Sequence, residues 1–124
     1  KVDFVRMDIE GFEVEVFQGM KNIFKNAKRG FMVFLELHPN AYSNERSFAH
    51  ELEFLIELGF YARILISAGE AQPPKMKELG YEPKKIIPSD GFMRGYYDDI
   101  KNDDLTALTC MQPKSSRYVL MQKN

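Results

Sequence analysis

The chain has 124 residues, with 17 Lys and Arg against 18 Asp and Glu and a formal charge of −1. Hydrophobic residues make up 44% and charged residues 28%, ordinary globular values that exclude wholesale disorder. The near-neutral balance argues against a dedicated nucleic-acid binder, and no apolar run approaches the roughly 18–20 residues of a membrane span. One domain over residues 1–124 is the expectation at this length. The lone Cys110 has no partner for an internal disulfide, which points to a reducing, cytoplasmic setting. The first residue is Lys1 and a strand pattern begins at once, so the chain reads as a fragment of something longer.

In chain order, Val2 to Met7 is rich in branched and aromatic residues and predicts a strand. Val16, Met20, Ile23, Phe24 and Ala27 recur at spacings of three and four, which predicts one helix stopped by Gly30. Phe31 to Leu35 is an unbroken apolar run, expected of a strand buried on both faces. After a turn at Asn40–Asn44 a second helix follows, with Phe48, Leu52, Leu55 and Ile56 on one face and Gly59 as its stop. Phe60 to Ile66 predicts a third strand and Arg117 to Met121 a last one. Between them, residues 67–115 carry five prolines and read as an irregular insert or lid, with short helices at Lys75–Leu79 and Asp103–Leu108. Strands alternating with helices predict an α/β fold with a mainly parallel sheet of about four strands. The last strand, reached without a crossover helix, is expected to be antiparallel. A sheet this small leaves an edge open, which invites pairing with a second copy.

In open α/β sheets ligands bind beyond the carboxyl ends of the strands. The first strand delivers Asp8 and Glu10 there, and the second delivers Glu36 and His38 on one face. If those strands are neighbours, three carboxylates and an imidazole converge. Carboxylates crowded at the edge of an apolar core have raised pKa values and act as bases or bind hydroxylated ligands. Glu36 is the most informative, because an ionised carboxylate inside an apolar run is costly unless paired or solvated. Structural roles compete: an ion pair for Glu36, helix N-terminal contacts for Asp8 and Glu10, a plain loop position for His38. Lys84, Lys85 and Arg94 among Phe92, Tyr96 and Tyr97 suit an anionic or sugar-like ligand, or simply pack. The Asp98-Asp99 and Asp103-Asp104 pairs lack the ligand spacing of a calcium loop. Neither a G-x-G-x-x-G nor a G-x-x-x-x-G-K-[ST] cradle occurs, and there is no Cys/His metal cluster.

The string Val2-Asp3-Phe4-Val5-Arg6-Met7-Asp8-Ile9-Glu10-Gly11-Phe12-Glu13 resembles the hallmark segment of FkbM-type methyltransferases, and Phe34-Leu35-Glu36-Leu37-His38-Pro39 resembles that family's next strand. The resemblance covers about residues 1–66 and the final strand. It implies the carboxyl-terminal half of a Rossmann-like, S-adenosylmethionine-dependent methyltransferase fold, with the last strand antiparallel. The glycine-rich cofactor turn is not among these residues, so the isolated chain is expected to be inactive and to supply the substrate side. Carried over, Asp8 lies beside the cofactor and acceptor with Glu10 adjacent. Glu36 or His38 then takes the proton from an acceptor hydroxyl on a small molecule, glycan or lipid. Two other readings stand beside this one. One is a non-catalytic binding or oligomerisation module built on half a Rossmann-like sheet. The other is a metal-assisted sugar enzyme using Asp8, Glu10, Glu36 and His38.

Overall fold

The structure, a computed structural model, describes residues 3–8, 12–43 and 47–124. Its strands are β1 (Phe4–Met7), β2 (Met32–Glu36), β3 (Phe60–Ser67), β4 (Lys85–Ser89), β5 (Phe92–Tyr97) and β6 (Ser116–Lys123). Its helices are α1 (Glu13–Gly19), α2 (Lys21–Lys25), α3 (Phe48–Glu57), α4 (Pro74–Glu78) and α5 (Asn102–Thr109). The sheet runs β1-β2-β6-β3-β5-β4. Among the described residues no helix is long and apolar enough to cross a membrane.

The fold is α/β, but the expected mainly parallel sheet of about four strands is corrected to a six-stranded, mostly antiparallel one. Among the described residues only β1 and β2 pair in parallel; β6 runs antiparallel to both β2 and β3, and β5 antiparallel to β3 and β4. The reason is topological. β1, β2 and β3 do share one direction, as their helical connections require, but β6 is inserted between β2 and β3 and turns two parallel neighbours into antiparallel pairs. The expected antiparallel last strand is what the structure has.

Residues 67–115, expected to be an irregular insert, supply the rest of the sheet. β4 and β5 form a hairpin whose turn residues Asp90 and Gly91 both have positive φ, 51° and 79°. Consecutive left-handed residues match the right-handed twist of the flanking strands, and Asp-Gly is a preferred pair for that turn. Pro88, which cannot donate to a ladder, is tolerated because β4 is at the sheet edge. The short helices foreseen in this stretch are present as α4 and α5.

The single helix expected over Val16–Ala27 is two, interrupted at Met20 (φ −102°, ψ 6°). Gly19 weakens helix continuity there, and the break resets the phase of the apolar stripe. Val14, Phe17 and Phe24 are therefore buried while Val16 and Ile23 are exposed. The second predicted helix holds: Ser47 Oγ accepts from Ala49 N at its start (3.1 Å), and Gly59 follows its end with φ +91°. Phe17, stacked on Phe24 (4.4 Å) and edge-on to Phe48 (5.3 Å), ties α1, α2 and α3 into one aromatic core.

Helices and core lie against the sheet face carrying Val33, Leu35, Ala62, Leu65, Val119 and Met121, all buried. The apolar run of β2 is thus not buried on both faces, since Met32 and Phe34 are only half-buried. Phe4, Arg6, Phe34 and Tyr118 line an open hollow of about 540 Å³, with Phe34 and Tyr118 stacked at 5.4 Å.

Candidate active site

Because β1 and β2 are parallel neighbours, their carboxyl ends place Asp8, just past β1, beside Glu36, the last residue of β2. Asp8, Glu36 and His38 each offer one ligand-type atom, and these lie within 4.8 Å of one another. Glu10, the fourth residue singled out from the sequence, lies outside the described residues.

Glu36 is buried. Its Oε1 accepts from Arg117 Nη2 at 2.8 Å, the ion pair that a carboxylate in an apolar run requires. Its carboxyl also hydrogen-bonds Asp8. Burial, and then that hydrogen bond, raise Glu36 above the ordinary glutamate range. The same bond lowers exposed Asp8 below the ordinary aspartate range. Of the two, Glu36 is therefore the group that takes up a proton first as the pH falls, and Asp8 the one that stays ionised longest. Arg6 Nη2 approaches Asp8 at 3.8 Å.

His38 is fixed from behind. Its Nδ1 hydrogen-bonds Oε1 of Glu13, the first residue of α1 and fully buried. This contact holds the ring in one orientation at the rim. Glu13 Oε2 is buried and, among the described residues, has no hydrogen-bond partner.

Sequence reasoning missed Glu13 and Arg117 as contributors. Glu13 closes the quoted motif, but nothing in the motif gives it a role of its own. Arg117 enters through β6, 81 positions beyond Glu36, and no local pattern marks that pairing. The other candidates disperse. Lys84 pairs with Asp98 (3.1 Å) and Asp99 (3.8 Å), while Lys85 sits over the Tyr96 ring. Asp104 accepts from Tyr81 Oη at 2.5 Å, and burial pushes the Cys110 thiol up to about 11, leaving it unreactive.

Residues 1–61 match the methyltransferase FkbM domain. The resemblance carried by Asp8–Glu13 and Phe34–Pro39 is thus found over the first part of the chain, and it places this segment in a methyltransferase family. No curated protein and no solved structure matches the chain. The FkbM segment contains β1, α1, α2, β2 and α3, and so contributes Asp8, Glu13, Glu36 and His38. Arg117 reaches Glu36 from outside it.

The coupling between Asp8 and Glu36 has a measurable consequence. Asp8→Asn removes the charge, and replaces a charged acceptor with a weaker neutral one, both of which favoured protonated Glu36, so the Glu36 midpoint falls toward the ordinary range. Glu36, with its folded value raised, lends stability that is full below the unfolded glutamate value and lost as pH rises through the raised one. Asp8, lowered, contributes the opposite: stability present above its unfolded value and lost as pH falls. A carboxyl-carbon NMR titration of D8N measures the shift; an unchanged or higher midpoint contradicts the coupling.

Proposed function

We propose that the protein is an S-adenosylmethionine-dependent methyltransferase that transfers a methyl group to a hydroxyl of a small molecule, glycan or lipid. The observation that carries this is the Asp8–Glu36–His38 rim, gathered within 4.8 Å at the carboxyl ends of parallel strands inside the FkbM-matching segment. The donor chemistry fits the cofactor's methionine end, which is cationic: Asp8 presents a half-exposed carboxylate held ionised by its hydrogen bond with Glu36. When bound, the cofactor supplies an electrophilic methyl group.

The chain's own residues do the rest. Asp8 orients the cationic end, and His38, braced by Glu13, receives the hydroxyl proton, with Glu36 as its partner in holding charge. Arg117 keeps Glu36 in place. Methyl transfer needs mainly an in-line approach at near-contact distance, so positioning matters as much as the base. The β4–β5 turn lies against this rim, since Asp90 Oδ2 is 4.0 Å from Arg117 Nη2. We read the hairpin as a wall over the acceptor.

The test uses the complete gene product, methyl-tritiated S-adenosylmethionine and a panel of hydroxylated acceptors. Label in an alkali-stable ether is expected; label only in protein carboxyl esters or none at all contradicts O-methylation. A second reading, in which Asp8, Glu36 and His38 bind a divalent cation, is favoured by their spacing. It is opposed by the Arg117 guanidinium already on Glu36. Calorimetry with magnesium and manganese decides, and we expect no saturable heat that D8N abolishes.

A further inference from the structure

Three carboxylates of the rim have a cationic or imidazole partner: Glu36 with Arg117, Glu13 with His38, Asp8 with Arg6. Two nearby cations have none. Arg94 on β5 is 2% exposed, yet among the described residues it has no carboxylate within ion-pair distance. Among the described residues its Nη1 donates to the Ser67 carbonyl (3.3 Å), its Nε is buried without a hydrogen-bond partner, and the guanidinium lies over the Phe92 ring at 4.9 Å. A buried guanidinium with an unsatisfied donor is costly, and a cation–π contact with a half-exposed ring offsets only part of that cost. Lys114 likewise makes no hydrogen bond or ion pair among the described residues.

The sheet brings these cations together. Ser67 ends β3 and pairs with Ser116 at the start of β6, while Ala68 N donates to the Ser115 carbonyl. Arg94 bonds Ser67, Lys114 precedes Ser115, and Arg117 follows Ser116. These links set all three residues at the end of the sheet from which Glu36 and His38 also extend. Burial, and then Arg117 beside it, hold the Lys114 ammonium below the ordinary lysine range; Arg94 adds to this, against Glu36 and Glu13. A bound anion relieves that field.

We propose that Arg94, Lys114 and Arg117 form an oxyanion subsite that holds a phosphate or carboxylate group carried by the methyl acceptor. The acceptor half of this statement rests on the methyltransferase reading, while the anion site itself does not. Guanidinium and ammonium groups at one rim suit either oxyanion through charge-assisted hydrogen bonds. The site lies beside the proton-accepting His38, so an acidic sugar or a sugar phosphate would present a neighbouring hydroxyl to it.

The test is a nitrogen-edited NMR titration of the full chain with inorganic phosphate, and separately with glucuronate. Saturable shifts at the Arg94 Nε–H and at the Lys114–Arg117 amides are expected, with phosphate, glucuronate or both identifying the oxyanion. Lys114→Met should weaken binding about tenfold or more, and Lys114→Arg should retain it within about twofold. Arg94→Met risks misfolding, so the half-buried Lys114 carries the decision. A non-saturating response, or wild-type affinity in K114M, overturns the site. Displacement of phosphate by S-adenosylhomocysteine would assign the subsite to the cofactor's carboxylate and overturn the acceptor assignment. Binding is read without turnover, so its failure leaves the labelled-methyl assay unaffected, and failure of that assay leaves the anion site standing.

Discussion

Glu36→Gln is expected to lower methyl transfer by the complete gene product at least about tenfold, with little change in cofactor affinity, because it withdraws the charge that supports the proton acceptor His38, and positioned acid–base groups contribute on that scale or more. Glutamine preserves side-chain volume and one carbonyl oxygen for Arg117, so packing survives. What it removes is the capacity to hold a proton with Asp8 and the charge that Arg117 balances at 2.8 Å. Asp8→Ala should cost as much, but through weaker cofactor binding. Its side chain is half-exposed and lies outside the apolar core, so the fold should survive, losing only the stability that its link to Glu36 contributes. Steady-state kinetics on both variants separate the roles. Wild-type turnover from both would remove the rim from the chemistry.

Gly95→Ala should destabilise the fold by at least about 2 kcal/mol, the overpacking cost when the obstruction cannot move aside. A Cβ on Gly95 would meet the Ala71 carbonyl oxygen at 2.1 Å and the Tyr97 ring at 2.7 Å. The obstruction is backbone, held where it is because Tyr97 Oη donates to that same Ala71 oxygen at 2.6 Å. Gly95 N in turn donates to Ser67 Oγ at 2.7 Å, which joins β5 to the end of β3. The clash therefore falls on the junction that places Arg94 at the rim. Thermal unfolding should drop on the order of 5–10 °C. An unchanged midpoint would mean that the segment around Ala71 yields freely and the hairpin is not fixed as described.

How much of this was readable beforehand follows from the range of each interaction. The order strand, helix, strand, helix, strand is encoded locally by apolar periodicity and by Gly30 and Gly59, and it came through. The Asp90-Gly91 turn is equally local, but the prolines around it mask the strands it joins; Pro88 fits only an edge strand, and which strand is at the edge is a property of the whole sheet. The insertion of β6 between β2 and β3 is a long-range event with no local signature, which is why the sheet's parallel character was overestimated. The same holds for the site. Asp8, Glu36 and His38 could be grouped from strand ends alone, given adjacent strands. Arg117 depended on the register that sets Tyr118 opposite Glu36, and Glu13 on the angle at which α1 leaves β1.

The most direct measurement is calorimetric titration of the complete gene product with S-adenosylhomocysteine, alongside its Asp8→Ala variant. A methyltransferase with Asp8 at the cationic end of the cofactor predicts one saturable site, weakened about tenfold or more by D8A, since a charge-assisted contact is lost. A folded protein that gives no heat with this ligand contradicts the account. In that event the open β1 edge, where Phe4 is 51% exposed, becomes the feature to test for pairing with a second copy.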